Sequence, residues 1–152
     1  MISYAVKSKL GLEAEAVFCE WMNTYNIDYR KATIEEQHKG IDIVAKKTYE
    51  VKHQSFPDKL IIEEKSMDDV PGWIYTSEAN FLIEVSADRK KYLKIDMKQL
   101  RDVFIKIKEN YELHNNDGMS QGMFGDIWLS SFYIIPVNQI EQYVKIEEVV
   151  II

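Results

Sequence analysis

Residues 40–54, GIDIVAKKTYEVKHQ, join two short runs of strand-forming residues through a pair of lysines. The runs read as a hairpin, because apolar and polar residues alternate with the period of a strand on both sides of Lys46-Lys47. Within them lie Asp42, Glu50 and Lys52. A half-buried strand gains nothing from desolvated charge, and charged groups are rarely buried unless they are paired or hold a metal. The hairpin therefore presents either a solvated face or a site.

Working outward, residues 10–25 (LGLEAEAVFCEWMNTY) predict a helix, with Leu10, Ala14, Val17, Trp21 and Tyr25 on one apolar stripe and Phe18 and Met22 beside it. NIDYRKATI predicts a strand, DKLIIEE a further short or edge strand, and 65–78 a loop with a helical turn. NFLIEVSA and KYLKID form a second hairpin across DRK. Asp96 begins a helix as N-cap, with Gln99 at the capping-box position and Met97, Leu100, Phe104, Ile107 and Tyr111 at helical spacing. ELHNNDGMSQGMFGDI reads as a long loop, WLSSFYIIPV as a strand, and NQIEQYVKI as a short closing helix capped by Asn138. The order predicts an α/β or α+β sheet with helices packed on it. A length of 152 residues predicts a single domain, 1–152.

Composition narrows the class. Cys19 is the single cysteine, which excludes a disulfide framework and a thiolate zinc site. No apolar run reaches transmembrane length and no signal-peptide h-region opens the chain, so the expectation is an intracellular, cytoplasmic protein without membrane contact. The net charge of −6 argues against a phosphate-rich partner. Its distribution is less uniform: Arg89–Lys108 holds eight basic and two acidic side chains, a local +6, against −12 elsewhere. That asymmetry permits a basic face for DNA as readily as a solvated hairpin and helix. Three of the 19 basic residues are arginine, so such contacts would go to backbone more than to base edges.

The hairpin loop decides whether the acids can meet. Residues i and i+2 share a face, so Glu50 and Lys52 point alike, with Tyr49, Val51 and His53 opposite; Ile41 and Ile43 likewise lie opposite Asp42. Directly opposed residues have a constant index sum. A two-residue loop, Lys46-Lys47, sets Asp42 against Val51; a three-residue loop, Ala45–Lys47, sets it across from Glu50. The site reading needs the odd loop or an equivalent bulge. Two adjacent carboxylates repel unless a cation lies between them, and hard ions such as magnesium take carboxylate oxygens while keeping several waters. With a lysine beside them they form a kit for metal-dependent phosphodiester hydrolysis.

Gly40-Ile41-Asp42 followed by Glu50-Val51-Lys52 resembles the PD-(D/E)xK nuclease superfamily, which includes restriction enzymes and Holliday junction resolvases. KLGLEAEAVFCEWM is similar to the resolvase opening, a glycine with a glutamate four residues on, which selects Glu15; Glu13 is the alternative. Phe18, Cys19 and Met22 follow at the spacing of that group. The proline of the family motif is Ile41 here, and the Asp42-to-Glu50 spacing is short. The resemblance covers residues 9–54 and implies a restriction-endonuclease-like core, a central mixed β-sheet flanked by helices. It implies Mg2+, replaceable by Mn2+, on Asp42, Glu50 and Glu15, with Lys52 positioning the hydrolytic water. It implies a homodimeric DNA endonuclease that selects branched or flapped DNA by shape. The rivals are a catalytically inactive nuclease-like module that binds DNA or protein, and a nuclease acting on RNA or in transposition or repair.

Other residues carry weaker signals. His53 reads as a packed or rim histidine, Gln54 as supporting polarity or a strand end, and Glu63 and Glu64 as charges on an edge strand, with an extension of the acidic cluster the alternative. His38 and His114 have no metal-ligand spacing, and Cys19 reads as core. Trp73 and Tyr75 either anchor the core or wall a cleft. GMSQGMFGD lacks the lysine and hydroxyl of a phosphate loop.

Overall fold

The computed structural model describes residues 9–67, 69–115, 120–121, 127–128 and 130–151. The chain forms a mixed α/β structure. A first helix, α1 (Lys9–Thr24), leads to β1 (Arg30–Lys31) and α2 (Ile34–His38), then β2 (Ile43–Val44) and β3 (Thr48–His53). A long strand β4 (Lys59–Met67) is followed by β5 (Val70–Pro71) and the single turn α3 (Trp73–Thr76). Next come β6 (Phe81–Val85), β7 (Lys91–Asp96), α4 (Met97–Ile107), β8 (His114–Asn115), β9 (Ser120–Gln121), β10 (Ile127–Trp128), β11 (Ser131–Pro136), α5 (Val137–Glu141) and β12 (Ile146–Val150). The central sheet has six strands in the order β1-β2-β3-β6-β7-β12, mixed because β3 and β6 are parallel and the other pairs antiparallel. A second sheet, β5-β4-β11-β8, packs beside it, and β9 pairs with β10.

The central sheet is covered on both faces. Ala14, Phe18, Cys19 and Met22 of α1 pack on Ile43, Val51, Ile83, Val85 and Tyr92. On the other face Leu82, Leu93 and Ile95 meet Leu60 and Ile62 of β4, Ile135 of β11, and Leu100 and Phe104 of α4. Full burial of such a side chain contributes roughly 1.5–3 kcal/mol. These two layers hold the sheet, and their strict alternation fixes which side chains of β3 and β6 face the second sheet.

Several expectations need correction. The buried stripe of α1 is Ala14, Glu15, Phe18, Cys19 and Met22, whereas Leu10 and Tyr25 are exposed. Val17 and Trp21 are partly buried against the same core, so the contact face is centred on the flank of Phe18 and Met22. NIDYRKATI yields only Arg30–Lys31 as strand before α2 begins. Thr33 and Glu36 form a reciprocal capping box there, and Arg30 grips Glu36 through two bonds of 2.7 and 2.9 Å. That pairing pulls the Glu36 carboxyl down to about 2. β4 lies between β5 and β11, but β5 meets only Lys65 and Met67, so of the two Lys59–Glu63 pairs with β11 alone. α5 starts after Pro136, not at Asn138, and is followed by β12, which pairs with β7. The glycine-bearing stretch GMSQGMFGD lies outside the described residues apart from Ser120 and Gln121. Asp96 caps α4 as expected, accepting from the Gln99 backbone N–H at 2.9 Å.

Candidate functional site: an acidic cleft between the two sheets

The geometry of Asp42 begins at the end of α2. Gly40, at φ +78°, takes the left-handed position that only glycine adopts without strain. Gly40 N–H bonds to Gln37 O and Ile41 N–H to Glu36 O, the paired bonds of a Schellman ending. The chain is thereby turned into the hairpin. β2 and β3 pair Ile43 with Tyr49 and Val44 with Thr48, so the loop is Ala45–Lys47 and the register is the odd one the site reading needs. The ladder then breaks. Asp42 N–H bonds to Tyr49 O, and its Oδ2 accepts the Val51 N–H, both at 2.8 Å. The carboxylate thus occupies the place of a backbone acceptor, and Asp42 meets Glu50 obliquely across an irregular step. For the same reason Ile41 and Ile43 do not share a face: Ile41 joins the layer toward the second sheet and Ile43 the layer under α1.

Asp42, Glu50 and Lys52 line one cleft of about 500 Å3, and Glu15 reaches it from α1 on the other side of the central sheet. Glu15 is buried with Lys31 Nζ 3.4 Å away. Glu13 turns aside to Arg89, at 3.1 Å. Glu50 is also buried; its Oε2 is 3.0 Å from Lys52 Nζ, and its Oε1 has no hydrogen-bond partner among the described residues. Asp42 and Glu50 both offer hard oxygens to the cleft, while no three His, Cys, Asp or Glu among the described residues stand close enough to hold one ion. A magnesium ion needs only one or two carboxylates, taking its remaining oxygens from water and phosphate, so the donor set fits such an ion.

Lys52 is the centre of a larger acidic group than the hairpin alone suggests. Burial acts to lower its pKa, but Glu50, Glu63 and Asp42 outweigh that and raise it, which keeps the ammonium charged. Glu63 comes from β4 and lines the same cleft, not a solvated edge; burial pushes its carboxyl up against the opposing pull of Lys52. Glu64 points elsewhere, to Tyr75 Oη at 2.6 Å and Lys108 at 3.2 Å. Glu84 stands beside Lys52 in the parallel register of β3 and β6. It is 3% exposed, its Oε2 has no hydrogen-bond partner among the described residues, and it lines a smaller inner chamber of about 200 Å3 with Lys52, Glu63 and Trp73. Burial lifts its pKa to about 8, with Lys52 pulling it back and Glu50 adding to the rise.

Glu84 gives a direct test of this cluster. Its folded pKa of about 8 lies above the unfolded carboxyl value of about 4.3, so the native state binds the proton more tightly. Stability is therefore highest below the unfolded value and is lost as the pH rises through the folded one. Glu84→Gln removes that proton equilibrium. The variant should melt about 5–10 °C above wild type at pH 9, from an electrostatic gain of about 2–4 kcal/mol, and close to it at pH 5. Equal differences at both pH values in thermal melts would contradict the buried-acid account.

Gln54 lies on the face of Glu50 and Lys52, is 2% exposed, and its Nε2 has no partner among the described residues. His53 sits at the rim beside Arg89. Trp73 does both jobs considered for it, packing partly on the core and setting its ring 5.1 Å from Lys52 Nζ. Arg101 bonds to the carbonyls of Ile74 and Ser77, Lys108 to Glu64 and Tyr75, Lys91 to Glu148 and Arg89 to Glu13. No helix among the described residues is long and apolar enough to cross a membrane. Comparison of the chain with protein-family models, with curated proteins and with solved structures gives no match.

Proposed function

We propose that the protein is a metal-dependent DNA endonuclease with a restriction-endonuclease-like core. The observation that carries the reading is the convergence of Asp42, Glu50 and Lys52 on one cleft, with a buried Glu50 oxygen left without a partner. Asp42 and Glu50 would hold Mg2+ or Mn2+, with Glu15 completing the acidic wall. The ion, when bound, lowers the pKa of a coordinated water and neutralises charge on the phosphate. Lys52, kept protonated by the acids around it, orients the attacking water and stabilises the charge that develops on the phosphoryl oxygens. DNA would be engaged through its backbone, which suits selection of branched or flapped structure over sequence. On the family resemblance, the active form is a homodimer.

A cleavage assay on junction, flap and duplex DNA tests this, comparing wild type with Asp42→Asn and Lys52→Ala, in magnesium and in EDTA. Each substitution should lower the rate at least about a hundredfold, the scale of removing one electrostatic stabiliser of a transition state. Equal cleavage by all three proteins would remove the assignment. One observation favours a second reading, a nuclease-like module that binds without cutting: no three-ligand metal cluster exists among the described residues. Calorimetry with Mg2+ and Mn2+ separates the two, since the inactive module would retain DNA or protein binding with no heat of ion binding.

A further inference from the structure

Glu13, Arg89 and His53 form a chain across three elements, and His53 at its end lines the cleft. Arg89 Nη2 donates to Glu13 Oε2 at 3.1 Å, and Nη1 lies 3.0 Å from His53 Nδ1. Arg89 occupies the turn between β6 and β7 at φ +64°, a left-handed conformation that an arginine rarely adopts. Such strain persists where surrounding contacts hold it, and it gathers at functional positions. The turn is held by its own bonds, Arg89 N–H to Ser86 O at 2.9 Å and Lys90 N–H to Asp88 Oδ1 at 3.0 Å, and the two side-chain bonds fix the guanidinium against the imidazole.

A guanidinium has donors and no acceptor. The 3.0 Å contact can therefore run only from Arg89 Nη1–H to a lone pair on His53 Nδ1. The ring proton is then on Nε2, and the imidazole is neutral. Nε2 lies on the edge of the ring away from Nδ1, and His53 lines both the outer cleft and the inner chamber. We propose that His53 is a phosphate-binding residue, whose Nε2–H donates to a non-bridging oxygen of a nucleic-acid phosphodiester entering beside Asp42 and Glu50. Burial and the Arg89 charge both disfavour the imidazolium, against the weaker opposite pull of Glu13. A neutral donor suits this place, because a free cation would be drawn onto the acids that already surround Lys52. The role rests on the nuclease reading above.

Two measurements on the intact protein test it. Long-range proton–nitrogen correlation spectra should show His53 protonated at Nε2 and bare at Nδ1 in wild type, with this preference lost in Arg89→Ala. Fluorescence anisotropy with a labelled DNA junction in calcium, a hard cation with the same oxygen preference, reads binding apart from chemistry. His53→Gln, whose amide nitrogen can replace Nε2–H, should bind within about threefold of wild type, while His53→Asn and His53→Ala should weaken about tenfold, the scale of one hydrogen bond to a charged group. Arg89→Ala, which keeps the ring and releases its anchor, should weaken binding to a similar extent. A ring protonated at Nδ1, or equal affinities for all His53 variants, overturns the role and leaves the nuclease reading intact. No DNA binding by wild type overturns the nuclease reading and this role with it.

Discussion

Lys52→Met should lower stability by about 2–4 kcal/mol near neutral pH, less than the 3–5 kcal/mol typical of breaking a fully buried pair because part of the lysine side chain meets solvent. On a chain of this size that is a fall in melting temperature of about 5–12 °C. The reason is that Lys52 is the shared cation of Glu50, Glu63 and Asp42, with Glu84 close by. A lysine whose folded pKa is raised contributes its full stability below the unfolded value of about 10.4 and loses it only above that. Wild type therefore keeps this contribution across the ordinary pH range. In the variant the acids lose their partner, so each proton they release as pH rises leaves an uncompensated buried charge. The deficit should widen from pH 5 to pH 9 in thermal melts. A deficit that is flat across that range would show that methionine perturbs packing and not charge.

Gly72→Ala is the second large effect, and here two opposing terms decide the sign. At the φ of Gly72, −69°, an alanine is unstrained, and removing a glycine from an unfolded chain normally stabilises by about 0.4–1 kcal/mol. A Cβ at this position would lie 1.8 Å from the carbonyl oxygen of Glu63 and 2.5 Å from its carbonyl carbon. Both are backbone atoms of a paired strand and cannot rotate away. Overpacking of this kind costs about 1–3 kcal/mol, sometimes more, so the net expectation is a loss of about 1–3 kcal/mol. The shift needed to relieve the clash also moves Trp73, the next residue, away from Lys52. Urea unfolding would read the stability, and indole fluorescence the displacement. A variant more stable than wild type would contradict this steric account.

The hairpin, its odd loop and the capped helix α4 were legible because each rests on local rules: period-two alternation, a constant index sum and an Asp-x-x-Gln cap. So was the placement of Asp42, Glu50 and Lys52. The Thr33-Ile34-Glu35-Glu36 capping box was equally local and marks a helix inside a stretch otherwise read as strand. Glu84 also left a trace, a lone acid in the apolar run Phe81–Val85, open to the same reasoning that singled out Asp42. Glu63 left none. Its face depends on how β4 docks against the central sheet, a pairing of layers that strand periodicity alone does not encode. The same is true of β12, whose strand character emerges from pairing with β7 after a helix that reads as the end of the fold.

The wall that carries Trp73 is a single helical turn, too short to hold itself by its own backbone bonds. Its carbonyl groups are gripped from α4 instead, where Arg101 donates to Ile74 O and Ser77 O at 2.6 Å, and Lys108, just past the end of α4, reaches Tyr75 Oη at 2.9 Å. The width of the opening is therefore governed from a distance, by a helix absent from its lining. Any event that loosens α4 would slacken the jaw opposite Lys52 while every acid around it stayed in place.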